Sequence, residues 1–388
     1  MHALAAGGDG VARLPDGLAL FVPLTAPGDR VRVRVVERKK RFGRAEILEL
    51  IEPGPDRVEA PCSVFGRCGG CRWQHLAYPA QLEAKREILR EALTRIGGWT
   101  PPEEIPFTPS PSGYGYRTRA RLLLSRDGVG YRREASHALC PVERCPILVP
   151  ELDAELARWA DGDETLERAG APEEWEWVAD DAGRVRRHRL DASAAESPPP
   201  SEFQIAADRM TISPGTFVQA NRLLHAALHR AVLGAAGQGS RALELHAGAG
   251  FFSLALARQF ESLEVVESSP GAVADLRVNL ARAGLSHVRV SEGQVDRVLE
   301  SRARGGVDMV LLDPPRAGLS ESASAALIEI GAPRVVYLSC DPATLARDTA
   351  RLGAGGYALQ SVEGFDLFPQ TAHLEALVVL TRQDRDQG

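Results

Sequence analysis

Residues 241–268 read RALELHAGAGFFSLALARQFESLEVVES: an apolar strand, a G-x-G turn, a helix and a second apolar strand ending on Glu267. A strand that turns through glycines into a helix offers backbone N–H groups to a nucleotide or nucleoside, and a carboxylate about 20 residues further on suits two ribose hydroxyls. The pair Gly248 and Gly250 is a weak signal alone; joined to Glu267 it indicates a nucleoside-type cofactor. Outward from this unit the alternation continues through NRLLHAALHRAVLGAA (221–236), VRVSEG (288–293), DMVLLD (308–313), SASAALIEIGA (322–332), RVVYLSC (334–340), TLARDTARLGAGG (344–356) and EALVVLTR (375–382). Regular βα alternation predicts a doubly wound, Rossmann-like parallel sheet with its ligand at the carboxyl ends of the strands.

Three strand ends carry chemistry. VLLDPPRAGL places Asp313 before a stiff proline pair and Arg316; YLSCDPATLARD places Cys340 in a polar turn opening a helix, where a helix N-terminus favours thiolate. FPQTAHLEALVVL sets His373 and Glu375 just before the last strand, Glu375 as a candidate base. The bland alternatives are a rigid turn, a small buried hydrophobe and surface polar residues.

Upstream, LALFVP, RVRVRVVE and GRAEILEL (18–50) are separated by turn signals and suit a small β-barrel. Arg30, Arg32 and Arg34 share one strand face, and with Arg38, Lys39, Lys40, Arg41 and Arg44 they predict a basic rim able to meet phosphates. Cys62, Cys68 and Cys71 follow as C-x5-C-x2-C, with Cys140 and Cys145 in CPVERCPI further on. Three clustered thiols and a distant one make a tetrahedral sulfur site. From spacing alone, structural zinc and an iron–sulfur cluster stand equal, with paired disulfides less favoured.

The chain of 388 residues has a formal net charge of −6, but residues 151–200 contribute −8, so the remainder sums to +2. The acidic total therefore does not exclude a nucleic-acid partner. No apolar run reaches the roughly 18 residues that span a bilayer, and MHALAAGGDG lacks the basic and apolar parts of a leader, so a cytoplasmic location is expected.

Taken in order, these motifs resemble those of the RNA uracil-C5 methyltransferases over nearly the whole chain. GDGVARLPDGLALFVPLTAPGDRVRV is similar to that family's TRAM barrel, CSVFGRCGGCRWQHLAYPAQLEAK to its cluster loop, and FVQAN, LDPPRAGL, YLSCDPATLARD and TAHLE to its catalytic motifs. The resemblance implies a TRAM or OB-like barrel over 1–57 that binds RNA, a central iron–sulfur α+β domain over 58–205 with an acidic insertion, and a class I methyltransferase domain over 206–388. It implies S-adenosylmethionine contacted by Gln219, His246, Gly248, Gly250, Glu267, Gln294 and Asp313, Cys340 as nucleophile and Glu375 as base. It also implies a 4Fe-4S cluster on Cys62, Cys68, Cys71 and Cys145, leaving Cys140 spare.

The implied partner is RNA, ribosomal more than transfer RNA, with no membrane and a monomeric chain. His246, Ala247, Phe251 and Gln294 depart from the family pattern. Two rivals remain: an adenine amino-methylase, which has no use for Cys340, and a non-catalytic RNA-binding or assembly protein whose donor pocket has decayed.

Overall fold

The computed structural model describes residues 1–162, 172–193, 196–300 and 306–383. Its C-terminal eight-stranded sheet runs in the order Arg289–Glu292, Phe260–Glu267, Gly239–Leu245, Met309–Leu312, Arg334–Ser339, Glu375–Arg382, Tyr357–Phe365 and Phe107–Thr108. The first five strands are parallel, and the inner ones Met309–Leu312 and Arg334–Ser339 are nearly all apolar, as strands covered on both faces must be. Strand order reverses beside Gly239–Leu245, which places a ligand crevice at its carboxyl end.

The sheet departs from the expected parallel alternation at its far side. Tyr357–Phe365 and Glu375–Arg382 pair antiparallel. Only residues 366–374 join them, too few for the crossover of about a dozen residues that a parallel pair needs.

Ahead of this sheet the hairpin Ser201–Ile205/Asp208–Ile212 buries Phe203, Ile205, Met210 and Ile212 in the same core. Helix Tyr78–Arg95, started by Pro79 in its first turn, packs Ile88, Leu89 and Leu93 among residues of the C-terminal sheet and of helix Pro342–Ala354. Thus the segment assigned by sequence to the central region contributes one helix and one short strand, Phe107–Thr108, to the C-terminal layers.

The central sheet proper has the order Val185–Arg189, Glu173–Ala179, Arg119–Ser125, Gly128–Arg132 and Leu139–Pro141. Helix Pro150–Ala160 covers it, with the Trp159 and Trp177 rings 5.3 Å apart, edge to face. Parts of the acidic stretch, residues 163–171 and 194–195, lie outside the described residues.

The amino-terminal five-stranded sheet has the order Ala3–Leu4, Gly10–Arg13, Ala19–Val22, Phe42–Glu52 and Arg30–Arg38. Backbone bonds from Gly28 N to Met1 O (2.9 Å) and from the Met1 amine to Asp29 O (2.7 Å) draw its ends together. Here the expected basic rim needs correction. Arg30 and Arg34 each pair at 2.8 Å with Glu52 and Glu46 on the partner strand, Arg32 pairs with Glu49, Arg38 with Asp16, and Lys39 with Glu37 at 2.9 Å. Register irregularities bring Glu46, Glu49 and Glu52, three residues apart, opposite Arg34, Arg32 and Arg30, so this face is charge-paired, not a bare cationic strip. Among the described residues no helix is long and apolar enough to cross a membrane.

Candidate active site

The glycine loop is shaped by backbone geometry. His246, Gly248 and Gly250 all have positive φ (63°, 57° and 96°), a region that costs His246 more than the glycines. Gly248 N donates to Glu267 Oε2 (2.9 Å), while Ser268 N and Ser269 N donate to its Oε1 (2.7 Å each). Three amides thereby aim the carboxylate across the loop. A Cβ on Gly250 would lie 2.7 Å from Leu276 Cδ1, so this glycine serves helix packing.

A cavity of about 50 Å³ is lined by Gln219, His246, Gly248 and Asp313 together with Phe251, Phe217 and hairpin residues Ile205, Met210 and Ile212. Four expected contacts therefore meet in one place. Gln294 does not join them: it is exposed, ahead of helix Val295–Glu300. Phe251, a departure from the family pattern, forms part of the wall and stacks edge to face on His225, centroids 5.3 Å apart.

Two features escaped the sequence reading. The hairpin looked like a domain boundary, since its role depends on folding back over the loop. Glu244 looked like one more residue of an apolar strand, although a carboxylate two residues before the glycine turn was a usable signal. It is buried with Oε2 unpartnered among the described residues, and burial, with Asp313 and Glu267 nearby, pushes it up to about 8.

Beside this cavity, at Asp313, lie the strand ends that carry Cys340 and Glu375. In the antiparallel pair Arg334–Ser339/Glu375–Arg382, Ser339 stands opposite Ala376; Cys340, one residue past its strand end, therefore comes to the edge where Glu375 begins the partner strand, near enough for the Glu375 charge to act on its thiol. Leu312 is in register with Tyr337 on the other side, which brings Asp313 to the same edge.

The turn after Cys340 is built by Asp341, whose carboxylate accepts from Ala343 N (3.0 Å) and Thr344 N (2.9 Å). That cap corrects the expectation of a thiolate favoured by the helix N-terminus: the free amides already serve Asp341. Burial, and then the charges of Glu375 and Asp313, push the Cys340 thiol up to about 11, with Arg316 acting the other way. Burial lifts Asp313 to about 7. Burial and Asp313 lift Glu375 well above the usual carboxylate range.

The Cys340 thiol thus rests protonated, Glu375 is shifted in the same direction, and both become more reactive as pH rises. If thiolate attack and carboxylate ionisation limit turnover, kcat/KM for RNA should climb steadily from about pH 6 to about pH 9, because the thiolate fraction grows with each pH step below the thiol's pKa. Initial-rate measurements over that range check this; a flat or falling profile would contradict it.

The four cysteines Cys62, Cys68, Cys71 and Cys145 line one cavity of about 440 Å³. The same cavity is lined by Arg117, Arg119, Arg316, Phe217 and His373, so the cysteine loop shares it with residues far away in sequence. Gly70 N donates to Cys68 Sγ (3.4 Å) and Tyr131 Oη to Cys145 Sγ (3.7 Å). Gly69 N binds Arg132 O (3.0 Å), and a Cβ there would approach that oxygen to 3.3 Å, which accounts for the glycine. Cys140 is buried in strand Leu139–Pro141 and is not among the lining residues.

Burial pushes the Cys68 and Cys71 thiols up to about 12 and raises Cys145, so thiolates here need a bound cation. Among the described residues no group of three or more His, Cys, Asp or Glu side chains stands close enough together to hold a metal ion.

A sheet of this order, with an amide-held carboxylate at its second strand end and an acidic, thiol-bearing crevice beside it, defines a class I methyltransferase fold. A family model described as tRNA (Uracil-5-)-methyltransferase matches residues 203–383, and a TRAM domain matches residues 3–48. The chain is 37% identical over 423 residues to the 23S rRNA (uracil(1939)-C(5))-methyltransferase RlmD of Chromohalobacter salexigens, covering 98% of this chain and 88% of that protein. It is 34% identical over 438 residues to an uncharacterized RNA methyltransferase of Gloeobacter violaceus, covering 98% and 95%.

Among solved structures it resembles the Pyrococcus abyssi tRNA (uracil-54, C5)-methyltransferase in complex with S-adenosyl-L-homocysteine. The TM-score is 0.75 and the identity 25%, over 96% of this chain and all of that one. The chain belongs to the RNA uracil-C5 methyltransferase family and is an S-adenosylmethionine-dependent enzyme.

Proposed function

We propose that this protein methylates C5 of a uridine in 23S ribosomal RNA, with Cys340 as nucleophile and Glu375 as base. The observation that carries the reading is the gathering of Cys340, Glu375 and Asp313 at one edge of the sheet, where the Glu375 and Asp313 charges both act on the thiol. Uracil C5 is too weak a nucleophile to take a methyl group unaided. Addition of the Cys340 thiolate to C6 of a flipped base pushes electron density to C5. S-adenosylmethionine, when bound, supplies an electrophilic methyl group on its sulfonium. Glu375 then takes the C5 proton, the C5–H electrons form the C5–C6 double bond, and the thiolate leaves.

Gln219, His246, Gly248 and Asp313 line the donor side, and Glu267 is held toward it by the Gly248 amide. A decayed, non-catalytic protein would have no reason to keep this juxtaposition of thiol and carboxylate. The ribosomal assignment rests on the relatives named RlmD. Labelled methyl transfer to protein-free 23S ribosomal RNA and to unmodified transfer RNA, run in parallel, should label the ribosomal RNA; label confined to transfer RNA would assign the other branch.

The cysteine cavity suits a 4Fe-4S cluster on Cys62, Cys68, Cys71 and Cys145: all four residues line it, and two of the thiols receive N–H or O–H donors. Such a cluster, when bound, ties the loop and the strand region of Cys145 together; methyl transfer has no redox step for it to serve. Protein purified without oxygen should contain iron and sulfide in equal amounts, and Cys68→Ser should lose both. Stoichiometric zinc without iron would contradict the assignment. The amino-terminal sheet, over residues 1–57, serves RNA binding in this reading, and the division into 58–205 and 206–388 follows the iron–sulfur and methyltransferase roles.

A further inference from the structure

Residues 366–374 lead from strand Tyr357–Phe365 to Glu375 and carry His373. Their anchors come from the segment that bears the cysteine loop. Lys85 Nζ donates to Asp366 Oδ1 (2.5 Å) and Phe368 O (3.0 Å), and Tyr116 Oη donates to Pro369 O (2.9 Å). At Gln370 five bonds converge, one of them from its side-chain Nε2 to Gly113 O (3.3 Å). Its backbone N donates to Gln81 Oε1 (2.9 Å), and Gln81 Nε2 returns a bond to its side-chain Oε1 (2.9 Å). Its carbonyl accepts from both Arg72 N (3.1 Å) and Trp73 N (3.0 Å), the two residues directly after Cys71.

Gln370 has φ +69° and is almost fully buried, as is Gln81. A left-handed conformation is natural for glycine and unfavourable for glutamine, and it persists only where the surroundings over-determine it. Glycine would satisfy this backbone but would lose the side-chain bonds. Downstream, Thr371 Oγ1 donates to Phe368 O (2.8 Å) and accepts from His373 N (3.2 Å), so the chain from Gln370 to Glu375 is stiff. At its far end His373 meets Arg316 (3.2 Å).

We propose that Gln370 is a positioning residue: through Gln81 and the Arg72 and Trp73 amides it latches the base-bearing segment to the cysteine loop, so that closure of that loop sets Glu375 over the substrate. The inference rests on the reading of Glu375 as base. A misplaced base leaves addition and methyl transfer intact and slows the removal of the C5 proton.

Two measurements test it. In the wild-type protein without RNA or methyl donor, hydrogen exchange should show residues 71–74 and 370–374 opening together, with one rate. In Gln370→Gly, which keeps the backbone conformation, and in Gln81→Leu, kcat should fall by about tenfold to about a hundredfold, the range a displacement near 1 Å can cost, while KM for RNA and for S-adenosylmethionine does not rise. Methylated RNA bound to the protein should accumulate in both variants, and the double variant should be no worse than the poorer single one.

Separate opening of the two segments overturns the latch, whatever the variants do. So does wild-type kcat in folded Gln370→Gly, or a rise in KM alone. Should Glu375→Gln turn over normally, the assignment of the base has failed, and the exchange experiment still decides whether the two loops are joined.

Discussion

Cys340→Ala should bind RNA and S-adenosylmethionine, form no covalent bond to uracil, and lose methyl transfer by at least about 10⁴-fold, the scale on which deletion of an enzymic nucleophile acts. Glu375→Gln should fail later. Addition and methylation can proceed, but the C5 proton stays and elimination stalls, so methylated RNA joined to the protein accumulates and survives denaturing electrophoresis. In the double variant that band should vanish. The stages separate because the proposed roles differ, addition at C6 for Cys340 and proton removal at C5 for Glu375. RNA carrying 5-fluorouridine should trap the wild-type protein in the same form, because fluorine cannot leave as a proton does. An adduct persisting in Cys340→Ala would exclude that thiol, and rapid turnover by Glu375→Gln would exclude that base.

Asp366→Ala should be the most destabilising single change outside the catalytic residues. Lys85 and Asp366 are both fully buried, 2.5 Å apart, and burial depresses the Lys85 ammonium while Asp366 supports it. Removing the carboxylate leaves a buried cation uncompensated, which typically costs about 3–5 kcal/mol. For a domain of this size that corresponds to a fall in Tm of roughly 10 °C. Lys85→Met combined with Asp366→Leu should recover most of the loss, since two apolar groups need no partner. Thermal unfolding followed by circular dichroism checks both; equal stability of Asp366→Ala and wild type would show that the pair contributes nothing.

The parallel sheet was legible because each strand is an apolar run bounded by a glycine or proline turn, and 241–268 alone holds a complete βαβ unit. Cys340, Glu375 and Asp313 were legible as strand ends. Their mutual register was not, because the reversal of the last two strands depends on the short connection at 366–374. The barrel's arginines misled for a related reason: strand alternation shows which residues share a face, but Glu46, Glu49 and Glu52 oppose them only through a pairing with irregular register. Cys340 was read as sitting on a helix N-terminus, and the neighbouring Asp341 takes the amides that reading needed. Least visible was the meeting of Gln81 with Gln370, nearly three hundred residues apart, since amide side chains carry no periodic signal.

The most direct test of uridine C5 methylation uses 23S ribosomal RNA transcribed with uridine tritiated at C5 and S-adenosylmethionine labelled in its methyl group. The expected result is release of tritium to water in step with methyl incorporation, and recovery of the methyl label as 5-methyluridine. Methyl incorporation without tritium release, or no incorporation by folded protein that binds the donor, would contradict it.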